Sequence, residues 1–149
     1  MPQRLQGGFT LIELLVVLVL IGLALAVVGP RVGAGSAETA LRADMRTLAG
    51  ALRLAREQAI REGRPAYLTL DPERRRWVIP GSGQSGSLSP TTRVIITADR
   101  ADIRNSMASV RFAPDGSSSG GRITLETGSR QHVLRVDWLT GRVASEPTG

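Results

Sequence analysis

The twenty residues FTLIELLVVLVLIGLALAVV, numbered 9–28, decide the fold of the amino-terminal part of this chain. One charged residue, Glu13, interrupts an otherwise apolar run. A helix rises about 1.5 Å per residue, so a helix over these residues is roughly 30 Å long, close to the thickness of a bilayer's hydrocarbon core. The run therefore predicts a membrane-spanning helix. Glu13 requires an explanation, because a carboxylate in hydrocarbon is unfavourable and usually functional.

A short leader, MPQRLQGG, occupies residues 1–8, carries Arg4 and ends at Gly8. Together with the following FTLIE it resembles the prepilin signal of type IV pilins and of the pseudopilins of type II secretion. The resemblance implies that a dedicated prepilin peptidase cuts between Gly8 and Phe9, and that the new amino-terminal Phe9 is methylated. It also implies that Glu13, the fifth residue after the cut, serves filament assembly.

A secretory signal peptide is the competing interpretation, with Ala34-Gly35-Ser36 as a small-residue cleavage site. The apolar run is longer than the core of such a peptide, its leader holds one arginine, and Glu13 interrupts it. Arginines lie on both sides of the run, so the charge rule does not fix its orientation. A cytoplasmic amino terminus is implied by the resemblance alone.

Two interpretations of Glu13 stay open. In the simpler one, its carboxylate lies about one turn from the start of the helix and reaches the cytoplasmic interface. In the resembling family, the acid pairs with the free amine of the next subunit's first residue, here Phe9. A pair formed in low dielectric favours one axial register of neighbouring helices, because an unpaired charge is penalised there.

A joint is predicted over residues 29–35, where Gly29-Pro30 closes the apolar run and two more glycines follow. Proline removes a backbone donor and clashes with the preceding helical turn. We therefore expect a kink or break at this point.

A second helix is predicted over residues 36–62, with Ser36 as its N-cap and with Gly63 and Pro65 just beyond its end. Its apolar residues follow a 4-3-4-3-4 spacing, which indicates a narrow stripe that docks on a domain core. The stripe consists of Leu41, Met45, Leu48, Leu52, Ala55 and Ala59.

The β-region is predicted over residues 66–144, where the helical spacing gives way to short apolar runs between turn-forming residues. Residues 66–70 and 77–79 are expected to form a hairpin, and residues 80–92 a loop by composition. Further strands are expected at 93–97, 109–112, 122–127 and 132–138. Several short strands after one long helix indicate an α+β fold.

Three later stretches resemble the GspH/FimT family: LRLAREQAIREGRP at 52–65, RFAPDGSSSGGRI at 111–123 and VDWLTGRV at 136–143. Members are minor pseudopilins of type II secretion or the related pilins of type IV pili. The resemblance implies a pilin-like fold, in which a long amino-terminal helix packs on a small antiparallel β-sandwich. One half of that helix is transmembrane, and the other is soluble and amphipathic.

The family also implies a location and partners. The chain is expected in the bacterial inner membrane as a single-pass protein, with residues 36–149 forming a periplasmic domain. The expected partners are the prepilin peptidase, the other minor pseudopilins and the major pseudopilin, with which it assembles into a pseudopilus.

No catalytic or metal-binding constellation is evident in the sequence. The chain has no cysteine and one histidine, His132, so neither a thiolate site nor an imidazole pair is available. Asp115-Gly116-Ser117 resembles a calcium loop only superficially, because such a site needs several convergent carboxylates. The sequence predicts no metal, no cofactor and no enzymatic activity.

Because the chain is strongly basic, DNA binding has to be compared with a role in protein export. The chain has 19 arginines, no lysine, 13 acids and a formal charge of +6. The leading prediction is a minor pseudopilin near the tip of the pseudopilus that supports protein export. The alternative is a DNA-binding minor pilin of a type IV pilus used in uptake, which requires Arg130, Arg135 and Arg142 to form one exposed patch on phosphates. The tail after Val143 adds an acid and no base, which disfavours the alternative.

Overall fold

The computed structural model describes residues 10–97 and 107–147, without the side chains of residues 25–36 and 147. Within these residues it holds one helix and eight strands. They are α1 (Leu11–Glu62), β1 (Ala66–Asp71), β2 (Arg76–Ile79), β3 (Gln84–Ser87), β4 (Arg93–Thr97), β5 (Ala108–Phe112), β6 (Gly121–Thr127), β7 (Arg130–Val136) and β8 (Val143–Pro147). The leader and the cleavage site at Gly8 and Phe9 lie outside the described residues.

The chain divides into two compact units, Met1–Ser36 and Ala37–Gly149. Helix is assigned to residues 29–35 as part of α1, so the secondary structure shows no break at Gly29-Pro30, and a kink there stays a prediction. Within the described part of the chain, no helix combines the length and hydropathy of a membrane span.

The second unit contains two four-stranded antiparallel sheets, with orders β3-β2-β1-β5 and β4-β6-β7-β8. The predicted hairpin is confirmed, since Leu70 pairs with Trp77 across β1 and β2. In the second sheet, Ile123 pairs with Leu134 across β6 and β7. The α+β prediction is therefore confirmed, with the helix packing on two small antiparallel sheets.

One hydrophobic core joins the helix to both sheets. Five of the six stripe residues are completely buried, and Met45 is partly buried against the same cluster. Alternate residues along the strands supply the other side of the core, because successive strand side chains point to opposite faces. The largest of these buried side chains are Leu68, Leu70, Ile79, Phe112, Ile123, Leu125 and Leu134.

The structure corrects the strand prediction in three places. Strand β3 lies inside the predicted loop 80–92, and β8 extends the β-region beyond residue 144 to Pro147. Strand β7 ends at Val136, so Trp138 lies outside it and is 67% exposed. The chain leaves the sheet at this point because Asp137 binds the backbone that follows it.

Candidate functional site

The start of α1 is a helical segment whose apolar side chains are all exposed. Residues 11–24, which we call the apolar segment, are exposed throughout. Their large hydrophobic side chains keep 46% to 83% of their accessible area. A helix whose apolar side chains are exposed on every side is expected to bury them against lipid or against another chain.

Glu13 lies in the first turn of this segment. Its backbone N–H donates to the carbonyl oxygen of Thr10 at 3.1 Å and contacts the Thr10 hydroxyl oxygen at 3.3 Å. An acid in the first turn is favoured by the partial positive charge of a helix amino terminus. Its side chain is exposed among apolar neighbours. If those neighbours are buried by lipid or by other helices, the carboxylate requires a cation supplied from outside.

The three arginines of the DNA-binding alternative do not share one face. Arg130 pairs with Glu38 of α1, so it points to the face of β7 that carries the buried Leu134. Arg135 is five positions beyond Arg130 on the same strand, an odd offset, and therefore points to the other face. There it lies 3.6 Å from the Glu146 carboxylate. The single patch required by that alternative is therefore not formed.

Arg56, on α1, joins two turns that belong to the family-like stretches. Its Nε donates to the carbonyl oxygen of Gly116 at 3.0 Å and to that of Thr140 at 3.1 Å. Gly116 lies in residues 113–117, the first signature turn, and Thr140 in residues 137–141, the second signature turn. Stretches that are distant in sequence thus form one hydrogen-bonded unit on the helix.

Asp137 organises the second signature turn. Its Oδ1 accepts hydrogen bonds from the backbone and hydroxyl of Thr140, both at 2.8 Å, and from the N–H of Leu139 at 3.1 Å. These bonds, those from Thr140 foremost, lower the pKa of the Asp137 carboxyl because they favour its charged form. The turn closes at Gly141, whose N–H donates to the Asp137 carbonyl at 2.9 Å.

Asp115 organises the first signature turn in a similar way. Its Oδ1 accepts from the hydroxyl of Ser117 at 2.6 Å and from its N–H at 2.9 Å. The Ser117 hydroxyl, with the N–H second, lowers the pKa of the Asp115 carboxyl. No group of three or more His, Cys, Asp or Glu side chains that could hold a metal occurs among the described residues.

Asp44 is a buried acid that the sequence analysis did not single out. It lies on α1 at 8% exposure and accepts from the N–H of Ser89 at 3.0 and 3.2 Å and from the Thr92 hydroxyl at 2.5 Å. It therefore fixes the segment between β3 and β4 to the helix. Its place between Leu41 and Leu48, on the buried stripe, is the signal that could have identified it.

Comparisons with known structures agree on the fold. The minor pilin FimU of Pseudomonas aeruginosa matches with a TM-score of 0.58 at 15% identity, over 74% of this chain and 90% of that one. The minor pseudopilin EpsH of Vibrio cholerae matches with a TM-score of 0.56 at 11% identity, over 70% of this chain and 94% of that one. At these identities the likeness establishes the pilin-like fold alone.

Sequence comparisons establish the family. The model of the type II transport protein GspH matches residues 44–141, and that of the prokaryotic N-terminal methylation motif matches residues 3–29. Type II secretion system protein H of Xanthomonas campestris pathovar campestris is 36% identical over 146 residues, which cover 97% of this chain and 86% of that protein. This chain therefore belongs to the GspH family of type II transport proteins.

Proposed function

We propose that this chain is a minor pseudopilin of a type II secretion system, a structural and non-enzymatic component near the tip of the periplasmic pseudopilus that supports protein export. The observation that carries the proposal is the apolar segment, exposed throughout and holding a single carboxylate, Glu13. Membership of the GspH family supports the same role.

The methylation motif over residues 3–29 supports a maturation route. Prepilin peptidase cuts between Gly8 and Phe9, and the amine of Phe9 is methylated. Residues 9–28 hold the chain in the inner membrane as a single pass, and the carboxy-terminal domain lies in the periplasm. The partners on this route are the peptidase, the other minor pseudopilins and the major pseudopilin.

Glu13 then specifies how neighbouring helices align. Removal of residues 1–8 leaves a positive amine at residue 9, close to the exposed carboxylate of Glu13 along the chain. In a bundle of such helices, the amine of one subunit neutralises the carboxylate of its neighbour. Because an unpaired charge in apolar surroundings is strongly unfavourable, one axial register is preferred over others.

The test replaces Glu13 with alanine in the full chain, expressed with its secretion system. We expect normal membrane association and a mature start at Phe9 by mass spectrometry, together with loss of cross-links to the other pseudopilins. Glu57→Ala, which removes an exposed acid elsewhere on α1, is the matched control and should assemble normally. Normal co-assembly of Glu13→Ala would refute the role of Glu13, and a mature start at Ala37 would refute the pseudopilin assignment.

A further inference from the structure

A groove with a volume of about 940 Å³ opens beside both sheets of the second unit. Tyr67 and Arg111, which are opposite each other on β1 and β5, line it from the first sheet. Arg122 and Arg135, opposite each other on β6 and β7, line it from the second sheet, and Trp138 lines it beyond β7. We call this the arginine groove. Its volume lies near the upper end of the range of about 300–1,000 Å³ found for ligand pockets.

Among the described residues, the three arginines of the arginine groove outnumber the two carboxylates beside them, those of Glu146 and Asp137. Arg122 and Arg135 are direct cross-strand neighbours, an arrangement that is destabilising for like charges. Glu146 is shared between them, at 4.0 Å from Arg122 and 3.6 Å from Arg135. Arg111 adds a third guanidinium, and each guanidinium has five N–H donors. Asp137 supplies a second carboxylate near Arg135, but its Oδ1 already accepts hydrogen bonds from Thr140 and Leu139. A further carboxylate placed in the groove by a partner relieves the repulsion.

Trp138 is an unusual residue to leave in solvent, and the backbone that carries it is fixed. Its carbonyl oxygen accepts from the N–H of Ser118 at 2.9 Å, and the Ser118 hydroxyl donates to the Asp137 carbonyl at 3.0 Å. A large aromatic side chain held on a rigid turn binds a partner with little further loss of entropy. Tyr, Trp and Arg are also the residue types that carry most binding energy at protein interfaces.

We propose that the arginine groove binds an extended acidic peptide segment of a partner protein. Its carboxylates form charge-assisted hydrogen bonds with Arg111, Arg122 and Arg135, and an apolar side chain packs on Trp138. A protein partner is favoured over nucleic acid because the three arginines share the groove with the aromatic side chains of Tyr67 and Trp138, and because Arg130 points to the opposite face of β7 and does not extend the basic surface. The groove is lined by residues of the second unit alone, and the proposal extends the proposed function without depending on the role of Glu13.

The test measures fluorescence anisotropy of a labelled peptide, rich in Asp and Glu with one Phe, on the full chain in detergent micelles. The same peptide with Asn and Gln in place of its acids is the control ligand. We expect binding of the acidic peptide alone, weakening as salt rises. Arg122→Gln and Arg135→Gln should each weaken binding about tenfold, as expected for loss of a charge-assisted hydrogen bond. Arg61→Gln, an exposed arginine at the end of α1, should leave it unchanged.

Trp138→Ala should weaken binding without changing its dependence on salt, because it removes apolar contact rather than charge. Failure of the wild-type chain to bind the peptide, or equal affinity of the groove variants, would overturn the proposal. So would tighter binding of single-stranded DNA through the same arginines, or self-association that the Arg122→Gln variant abolishes. Glu13→Ala should bind the peptide normally, so failure here is distinguishable from failure of the assembly role.

Discussion

Replacing Gly141 with alanine tests whether the two signature turns are held by close backbone packing on Arg56. Gly141 has a φ of +62°, and a Cβ at this position would lie 2.2 Å from the carbonyl oxygen of Gly116. The same Cβ would also lie 2.8 Å from Nε of Arg56. The substitution therefore forces apart the atoms that join the turns to the helix.

The expected loss of stability has two parts. An L-residue in the left-handed region costs about 1–2 kcal/mol relative to glycine. Overpacking of a tight contact costs about 1–3 kcal/mol more. The sum, about 2–5 kcal/mol, is a large fraction of the roughly 5–15 kcal/mol that stabilises an ordinary domain. For a domain of this size, the melting temperature should fall by on the order of 10 °C.

The assay follows thermal unfolding of the full chain in mild detergent by tryptophan fluorescence, which reports on the buried Trp77. Gly128→Ala is the matched control. Gly128 has a φ of +57° in the β6–β7 hairpin, but a Cβ there would have nothing within 4 Å. The Gly128→Ala variant should therefore lose only the stability that the left-handed backbone conformation costs an L-residue, about 1–2 kcal/mol. Equal losses in the two variants would refute the argument from close packing.

Three further predictions concern the polar anchors of the domain. Arg56→Met should destabilise it by about 1–3 kcal/mol in the same assay, because the carbonyls of Gly116 and Thr140 lose a shared donor; unchanged stability would contradict this. Asp44→Ala should cost a similar amount and increase hydrogen exchange in the segment between β3 and β4, since buried donors lose their acceptor. The Asp137 carboxyl has a pKa below its ordinary value of 3.8, so the stability that its charged form contributes is fully present above pH 3.8. That stability is lost as the pH falls through the pKa of the folded state. Asp137→Asn should accordingly show a shallower loss of melting temperature in acid than the wild type, and parallel curves would disprove it.

The helix that packs on the sheets is the part of the fold that local sequence specifies most directly. Spacing of three and four residues places Leu41, Leu48 and Leu52 on one face, and all three are fully buried. The end of α1 at Glu62 was also predictable, because Gly63 takes a left-handed φ of 61° and Pro65 follows.

Strands β3 and β8 escaped prediction for a different reason. Gln84–Ser87 holds no large apolar residue, so it has no alternation to detect. It is a strand because its backbone pairs with β2 and because Gly86 leaves room for the Trp77 indole, which would lie 2.7 Å from a Cβ at that position. Val143–Pro147 likewise depends on pairing with β7, which is a tertiary contact.

The residues of the candidate sites likewise divide into those that are evident from local sequence and those that depend on tertiary contacts. Glu13 is evident from sequence because a single acid in an apolar run is a local anomaly. The role of Arg56 is not evident from sequence, because its hydrogen bonds connect it to residues that are 60 and 84 positions away. Pairing of Arg122 with Arg135 depends on the register of β6 and β7, which the hairpin turn sets.

The hydrogen bonds of Arg56 have a consequence for how this sequence can diverge. A side chain at residue 141 is excluded by the carbonyl of Gly116 and by Arg56 together, and the left-handed φ of +62° favours glycine independently of the arginine. Loss of the arginine by mutation would weaken the steric part of that constraint, whereas loss of the glycine first would be penalised in full. Substitutions at these positions should therefore accumulate together and in a preferred order among homologues, with the arginine changing before the glycine.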